Sequence, residues 1–240
     1  LSPERLAAFW VYLQAGPLLW LTLTLAAYLA AQALHRRAAR HPLVNPVALA
    51  VALLVAVLSL TGTPYARYFE GAQFVHFLLG PATVALAVPL FRHRRAVRAA
   101  LLPMAAALLC GATTAILGAA AIAWALGASR ATLASLAPKS VTTPIAMAVA
   151  ERLGGLPSLT AVLVILTGVT GAMTAGPLLD RLKIVDPRAR GFAIGLAAHG
   201  IGTARAFEES RLAGTFAGIA MAANGLATAL LAPLLLAWLR

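Results

Sequence analysis

Between residues 131 and 149 the chain is apolar at both ends, and its middle reads Pro138-Lys139-Ser140-Val141-Thr142-Thr143-Pro144. Proline cannot donate to a helical ladder and clashes with the preceding turn, so a regular helix cannot run straight through this stretch. The run therefore either enters an apolar layer and turns back, or crosses it as a broken helix. Which of the two holds decides the fold.

The apolar layer is implied by composition. The chain has 240 residues, of which 61% are hydrophobic and 11% charged. Mean hydropathy is +0.88. Soluble domains run nearer 45–50% apolar and about 25% charged, so the dominant solvent here is lipid. The net charge is +12, from 19 Lys plus Arg against 7 Asp plus Glu. These charges sit in short tracts between apolar runs and are not interleaved with aromatics. That pattern suits positive-inside loops and argues against nucleic acid as a partner. Cys110 is the one cysteine and lies inside an apolar run, so neither an intrachain disulfide nor a cysteine metal cluster is expected. No cofactor is implied.

A crossing helix needs about 20 apolar residues. Seven runs qualify: Phe9–Leu34, Leu43–Leu60, Ala72–Phe91, Ala99–Leu126, Leu159–Leu179, Gly191–Ala206 and Leu212–Leu239. The expected fold is an all-α, multi-pass bundle of about seven transmembrane helices plus the segment 131–152, within one membrane domain over residues 1–240. The densest basic tracts, His35–Arg40 and Arg92–Arg98, belong on the cytoplasmic side. The tract Asp180–Arg190 falls on that side too if Ala131–Val149 turns back, and on the opposite side if it crosses. The charge rule thus favours a re-entrant hairpin with its tip near Lys139–Thr143. Non-helical backbone is tolerated at that depth where protein or a wet cavity surrounds it.

With the hairpin between them, the units 43–126 and 159–239 have opposite orientation. Each has a weakened central helix, at Gly80-Pro81-Ala82-Thr83 and at His199-Gly200-Ile201-Gly202-Thr203. Paired interruptions of this kind point to a transporter site. A competing similarity, of Pro81-Ala82-Thr83-Val84 to Pro138-Lys139-Ser140-Val141, makes the segment a broken crossing instead. At about 1.5 Å per residue, Gly200, Thr83, Asn224 and the hairpin tip fall near one plane.

Lys139 heads the candidate residues, because an ionisable group inside a membrane is costly unless it has a task. The bland alternative is a lysine reaching back to the interface. Ser140, Thr142 and Thr143 either bond a carboxylate or satisfy backbone freed by the prolines. Pro144 suits the first turn of a helix whose N-terminal end would face an anion at the tip. His199 is a hydrogen-bonded core histidine, a substrate contact or a proton carrier. Gly200, Gly202 and Thr203 belong to its break. Arg205 pairs with a substrate carboxylate, or with Glu208 or Glu209. Glu151 forms an interfacial ion pair with Arg152 or serves as a coupling-ion site. Asn224 acts as interhelical glue or as a ligand contact. Spacings Gly191/Gly195 and Gly214/Gly218 suit close helix packing. No metal site is expected, since no second ligand sits at ligand spacing from His199. No enzyme is expected either, since adjacency of Lys139 and Ser140 does not set nucleophile–base geometry.

Three stretches carry a resemblance: Pro138 to Ala146 followed by Gly154-Gly155, Gly80 to Leu90, and Ala197 to Ala206. Together they resemble the LrgB/CidB family, in order and over most of the chain. The resemblance implies a multi-pass protein of the bacterial inner membrane. It implies one of two roles. The first is an antiholin-like influence on murein hydrolases beside a small LrgA-type membrane partner, with homo-oligomerisation. The second is exchange of small monocarboxylates, as in the plastid glycolate–glycerate relative; glycolate, glycerate, lactate and pyruvate are the solutes in view. It supplies no residue roles.

Overall fold

The computed structural model describes residues 16–237, without the side chains of Leu79 and Thr83. The first part of the expected helix Phe9–Leu34 and the end of Leu212–Leu239 lie outside the described residues. Every regular element described is a helix. The chain divides into two compact units, one through Ala85 and one from Leu86.

The first unit holds α1 (Pro17–Arg37), α2 (Pro46–Thr61), α3 (Tyr65–Phe77) and α4 (Leu79–Ala85). Asn45 caps α2 by accepting from the N–H groups of Val47 and Ala48. Gly62 ends it in the left-handed conformation, as a helix C-terminus favours. Trp20 of α1 is buried against Tyr68 of α3, edge to face at 6.1 Å.

The second unit starts with α5 (Ala87–Arg92) and α6 (Arg94–Ala99) and continues with α7 (Leu101–Ala125). The helical path is interrupted at Leu86 and Ala100, three residues before Pro89 and Pro103. That offset is expected, because proline leaves the carbonyl four residues back without its donor. Leu78, ahead of Pro81, follows the same rule.

Next come α8 (Arg130–Leu136) and α9 (Thr143–Arg152), joined by the turn over Ala137–Thr142. The pair turns back. Twenty-one residues after Ser135 the chain has returned to it: Leu156 N–H donates to Ser135 Oγ at 2.7 Å. Thr160 Oγ1 donates to the Ser135 carbonyl at 3.0 Å. Gly155 permits this closure, since a Cβ there would stand 2.8 Å from Ser135 N. Segment 131–152 is therefore a helical hairpin, the shape that the re-entrant reading requires.

Helix α10 (Pro157–Arg181) then runs back the length of the unit and leads into α11 (Pro187–Glu209). Here the structure corrects the expectation of a crossing at Gly191–Ala206. Ala198 (φ −123°, ψ 16°) and His199 (φ 41°, ψ −130°) are not helical. Arg190 and Glu209, 19 residues apart, touch at 3.0 Å. A straight helix would separate them by about 28 Å. The chain reverses at His199, so α11 is a second helical hairpin with its tip at Ala198–His199. Its first limb lies parallel to α12 (Arg211–Leu235), with Gly191 against Ala213 and Gly195 against Ala217. Neither glycine leaves room for a Cβ, so these positions serve close packing as expected.

The two hairpins have their bases at opposite ends of the second unit. Ala123, Leu133, Val149 and Leu236 pack together at one end. Leu179, Ile194, Ala206 and Ala213 do so at the other. Arg98, Arg181, Arg190, Arg205 and Arg211 lie at that second end, whereas Arg130 and Arg152 lie at the first. Because α11 reverses, α12 starts at the basic end, opposite to the direction that a crossing at 191–206 would give it.

Five helical stretches among the described residues are long and apolar enough to cross a membrane: Pro17–Arg37, Tyr65–Arg92, Leu101–Ala125, Pro157–Arg181 and Arg211–Leu235. The expected count of about seven falls for two reasons. The run at 191–206 is a hairpin, and Pro46–Thr61 has 16 residues, about 24 Å of helix, short of a core about 30 Å thick.

The reversal in α11 is open to a direct check. With Cys110→Ser as background, Arg190→Cys plus Glu209→Cys should be bridged by a short bismaleimide, since side chains that meet at 3.0 Å hold the two backbones far closer than the separation of about 28 Å in a straight helix. A pair that the reagent leaves unbridged, although each cysteine alone is labelled by a monofunctional maleimide, would contradict the reversal.

Candidate functional site

The tips of the two hairpins meet partway along the long helices, and one side chain joins them. Asn224 of α12 is 1% exposed. Its Nδ2 donates to the Ser140 carbonyl at 3.2 Å and to the Leu196 carbonyl at 3.0 Å. Ser140 is in the first tip and Leu196 precedes the second. Thr228 Oγ1 donates to Asn224 Oδ1 at 3.4 Å. Breaking a helix strips carbonyls of their donors, and buried carbonyls need replacements. Asn224 is such a replacement for both hairpins, which fits the reading of it as interhelical glue.

His199 serves the second tip in a similar way. Its Nε2 donates to the Val164 carbonyl of α10 at 2.9 Å; a carbonyl only accepts, so the proton is on that nitrogen. Thr203 Oγ1 donates to the His199 carbonyl at 2.8 Å. Positive φ at a non-glycine residue is uncommon, and these bonds hold it. Gly168 leaves room for the imidazole, as a Cβ there would stand 2.6 Å from His199 Cε1. Gly171 does the same for Ala198.

A cavity of about 740 Å³ opens beside the tips, between α7 and α10. Lys139 and Ser140 line it. Lys139 is half-buried, and its Nζ donates to Ser140 Oγ at 3.2 Å. Among the described residues no carboxylate pairs with it. The cavity's two flanking helices contribute hydroxyls to the lining, Thr114 from α7 and Thr167, Thr170 and Thr174 from α10. These threonines escaped the sequence reading. Their signal was the spacing of three and four residues along one helix face.

The remaining candidates lie elsewhere. Thr142 precedes α9 and Thr143 begins it, with no side-chain cap bond from Thr142; neither lines the cavity. Gly200 and Gly202 lie in the second limb of α11, where Gly202 packs on Ala198 and Ile194. Arg205 Nη1 donates to Glu208 Oε2 at 2.7 Å near the hairpin base, far from the depth a straight helix would give it. Glu151 is exposed at the end of α9. The Thr83 side chain lies outside the described residues. No three His, Cys, Asp or Glu side chains gather as a metal site among the described residues.

A second cavity, of about 640 Å³, opens toward the basic end. It is lined mainly by Ala, Pro and Phe side chains and shares Gly111 and Leu196 with the first. Its charged residues, Asp186 and Arg188, bond each other at 2.6 Å. That hydrogen bond from Arg188 holds the Asp186 carboxyl below the usual range. The second cavity has no free cation, whereas Lys139 supplies one to the first.

The profile of the LrgB-like family matches residues 24–238. The chain belongs to that family. It is 36% identical to the uncharacterized protein YwbG of Bacillus subtilis over 91% of this chain and 97% of the relative. It is 28% identical to the holin-like protein CidB of Staphylococcus epidermidis over 94% of this chain and 97% of the relative. The Staphylococcus aureus protein of the same name is 29% identical over the same shares. No solved structure matches. Family and apolar helices together make this LrgB-like chain an integral membrane protein.

Proposed function

We propose that this LrgB-family protein is a carrier of small monocarboxylates in the bacterial inner membrane. Glycolate, glycerate, lactate and pyruvate are the solutes considered. The supporting observation is Lys139, a cation in a cavity at helix-tip depth with no carboxylate partner among the described residues. A lysine at mid-membrane costs about 2.5–3.5 kcal/mol, and a bound carboxylate offsets that cost. Helix α9 begins four residues after it, at Thr143, and the N-terminal end of a helix favours an anion. Two hairpins inserted from opposite ends suit a site reached in turn from each side, as an inverted arrangement would require.

The name of the staphylococcal relatives favours a second reading, a holin-like regulator of lysis that oligomerises with an LrgA-type partner. Gly214 and Gly218 would be its natural contact face. Gly214 is already filled by Phe207 of the same chain, and Leu86 lies beside Gly218. This packing weakens the second reading, and the cavity lysine has no task in it.

Purified protein in proteoliposomes should take up radiolabelled lactate or glycolate with saturation. Absence of saturable uptake of all four acids, together with a lysis phenotype that responds to Gly218 substitution, would establish the second reading instead.

A further inference from the structure

Threonine in a membrane helix ordinarily returns its hydroxyl to the carbonyl four residues back. Thr160, Thr174 and Thr215 do so, at 3.1, 2.8 and 2.8 Å. Thr114, Thr167 and Thr170 do not: among the described residues their hydroxyls have no hydrogen-bond partner. All three line the Lys139 cavity. Thr22 and Thr113 are equally free but lie off that lining, so what sets these three apart is that their open hydroxyls share a cavity with the lysine. A hydroxyl both donates and accepts, so such a wall matches a solute that carries an oxygen beside its carboxylate.

We infer that Thr114, Thr167 and Thr170 form the specificity wall of the site, selecting 2-hydroxy and 2-oxo monocarboxylates over acids that lack the second oxygen. This inference rests on the carrier reading above. The carboxylate lies on Lys139 and Ser140, and the oxygen at carbon 2 bonds the threonine hydroxyls across the cavity. Thr203 is not part of this wall, since its hydroxyl donates to the His199 carbonyl and it does not line the cavity. A site that hydrogen-bonds a substrate hydroxyl rejects the analogue lacking it, because its own polar groups are then left unpaired.

The test uses pairs of acids that differ only in that oxygen, lactate against propionate and glycolate against acetate. Each unlabelled acid competes with labelled lactate for uptake into proteoliposomes. In the parent protein lactate should compete at least about tenfold better than propionate. Thr167→Val with Thr170→Val keeps the shape and removes the hydroxyls, and should bring the two acids within about twofold. Thr167→Ser with Thr170→Ser restores the hydroxyls and should restore the preference. Thr113→Val is the control, since the Thr113 hydroxyl is likewise without a partner among the described residues but lies off the cavity lining; the preference should not move. Uptake that needs Lys139 but treats lactate and propionate alike overturns the specificity wall and leaves the carrier reading intact. A preference that survives the double valine variant does the same. Failure of every acid to be taken up overturns both.

Discussion

Replacing Lys139 by alanine is expected to lower lactate uptake by roughly a hundredfold to a thousandfold while leaving the protein as stable as the parent, or more so. A hydrogen bond from a cation to a carboxylate contributes about 1.5–3 kcal/mol, and the low-dielectric surroundings of a membrane site strengthen the charge attraction. About 3–4 kcal/mol is lost in total, at 1.4 kcal/mol per decade. Stability moves the other way. Lys139 has one hydrogen bond, to its neighbour Ser140, and no ion pair among the described residues. Alanine removes the cost of holding an ammonium there and disturbs little packing. The two readouts together separate a binding residue from a structural one. Initial rates in proteoliposomes measure the first, and thermal unfolding in detergent measures the second. Uptake within twofold of the parent would remove Lys139 from the site. A large fall in melting temperature would make it a structural residue.

The first hairpin was legible because its signal is local. Two prolines around a lysine forbid a straight helix, and the charge tract at Asp180–Arg190 then selects the return over the crossing. The second hairpin was only half legible. His199-Gly200-Ile201-Gly202 announces a weak point, but local sequence does not say whether the chain kinks or reverses there. The reversal depends on long-range partners, the Arg190–Glu209 pair and the close approach of Gly191 and Gly195 to α12. Misjudging it carried over to Arg205, which a straight helix would lift toward the far end. The reversal instead returns it to the basic end beside Glu208. The cavity threonines were missed for another reason. A threonine inside an apolar helix is unremarkable when its hydroxyl bonds the backbone, and only the coordinates distinguish Thr174, which does, from Thr167 and Thr170, which do not.

Asn224 carries the second large prediction, because among the described residues it is the one side chain that bonds both tips. Hydrogen bonds between membrane helices average only about 0.6 kcal/mol, since polar groups in the unfolded state also find partners in the membrane. That average understates this case. The carbonyls of Ser140 and Leu196 belong to broken backbone, and a buried carbonyl left without a donor costs about 1–3 kcal/mol. Asn224→Leu strands both, in a position too buried for lipid headgroups to help, and the expected loss is roughly 2–5 kcal/mol. Against a total stability of about 5–15 kcal/mol, that shows as a melting temperature lower by many degrees, or as failure to accumulate in the membrane. Asn224→Asp separates the donors from the shape. Its size is unchanged, but buried beside two carbonyls the carboxyl is held protonated, and its one O–H serves only one of the two acceptors, so it should fall well short of the parent. If Asn224→Asp matched the parent in melting temperature and in lactate uptake, the two tips would have to be held by something other than this amide. The depth of the cavity beside them would then lose its structural explanation.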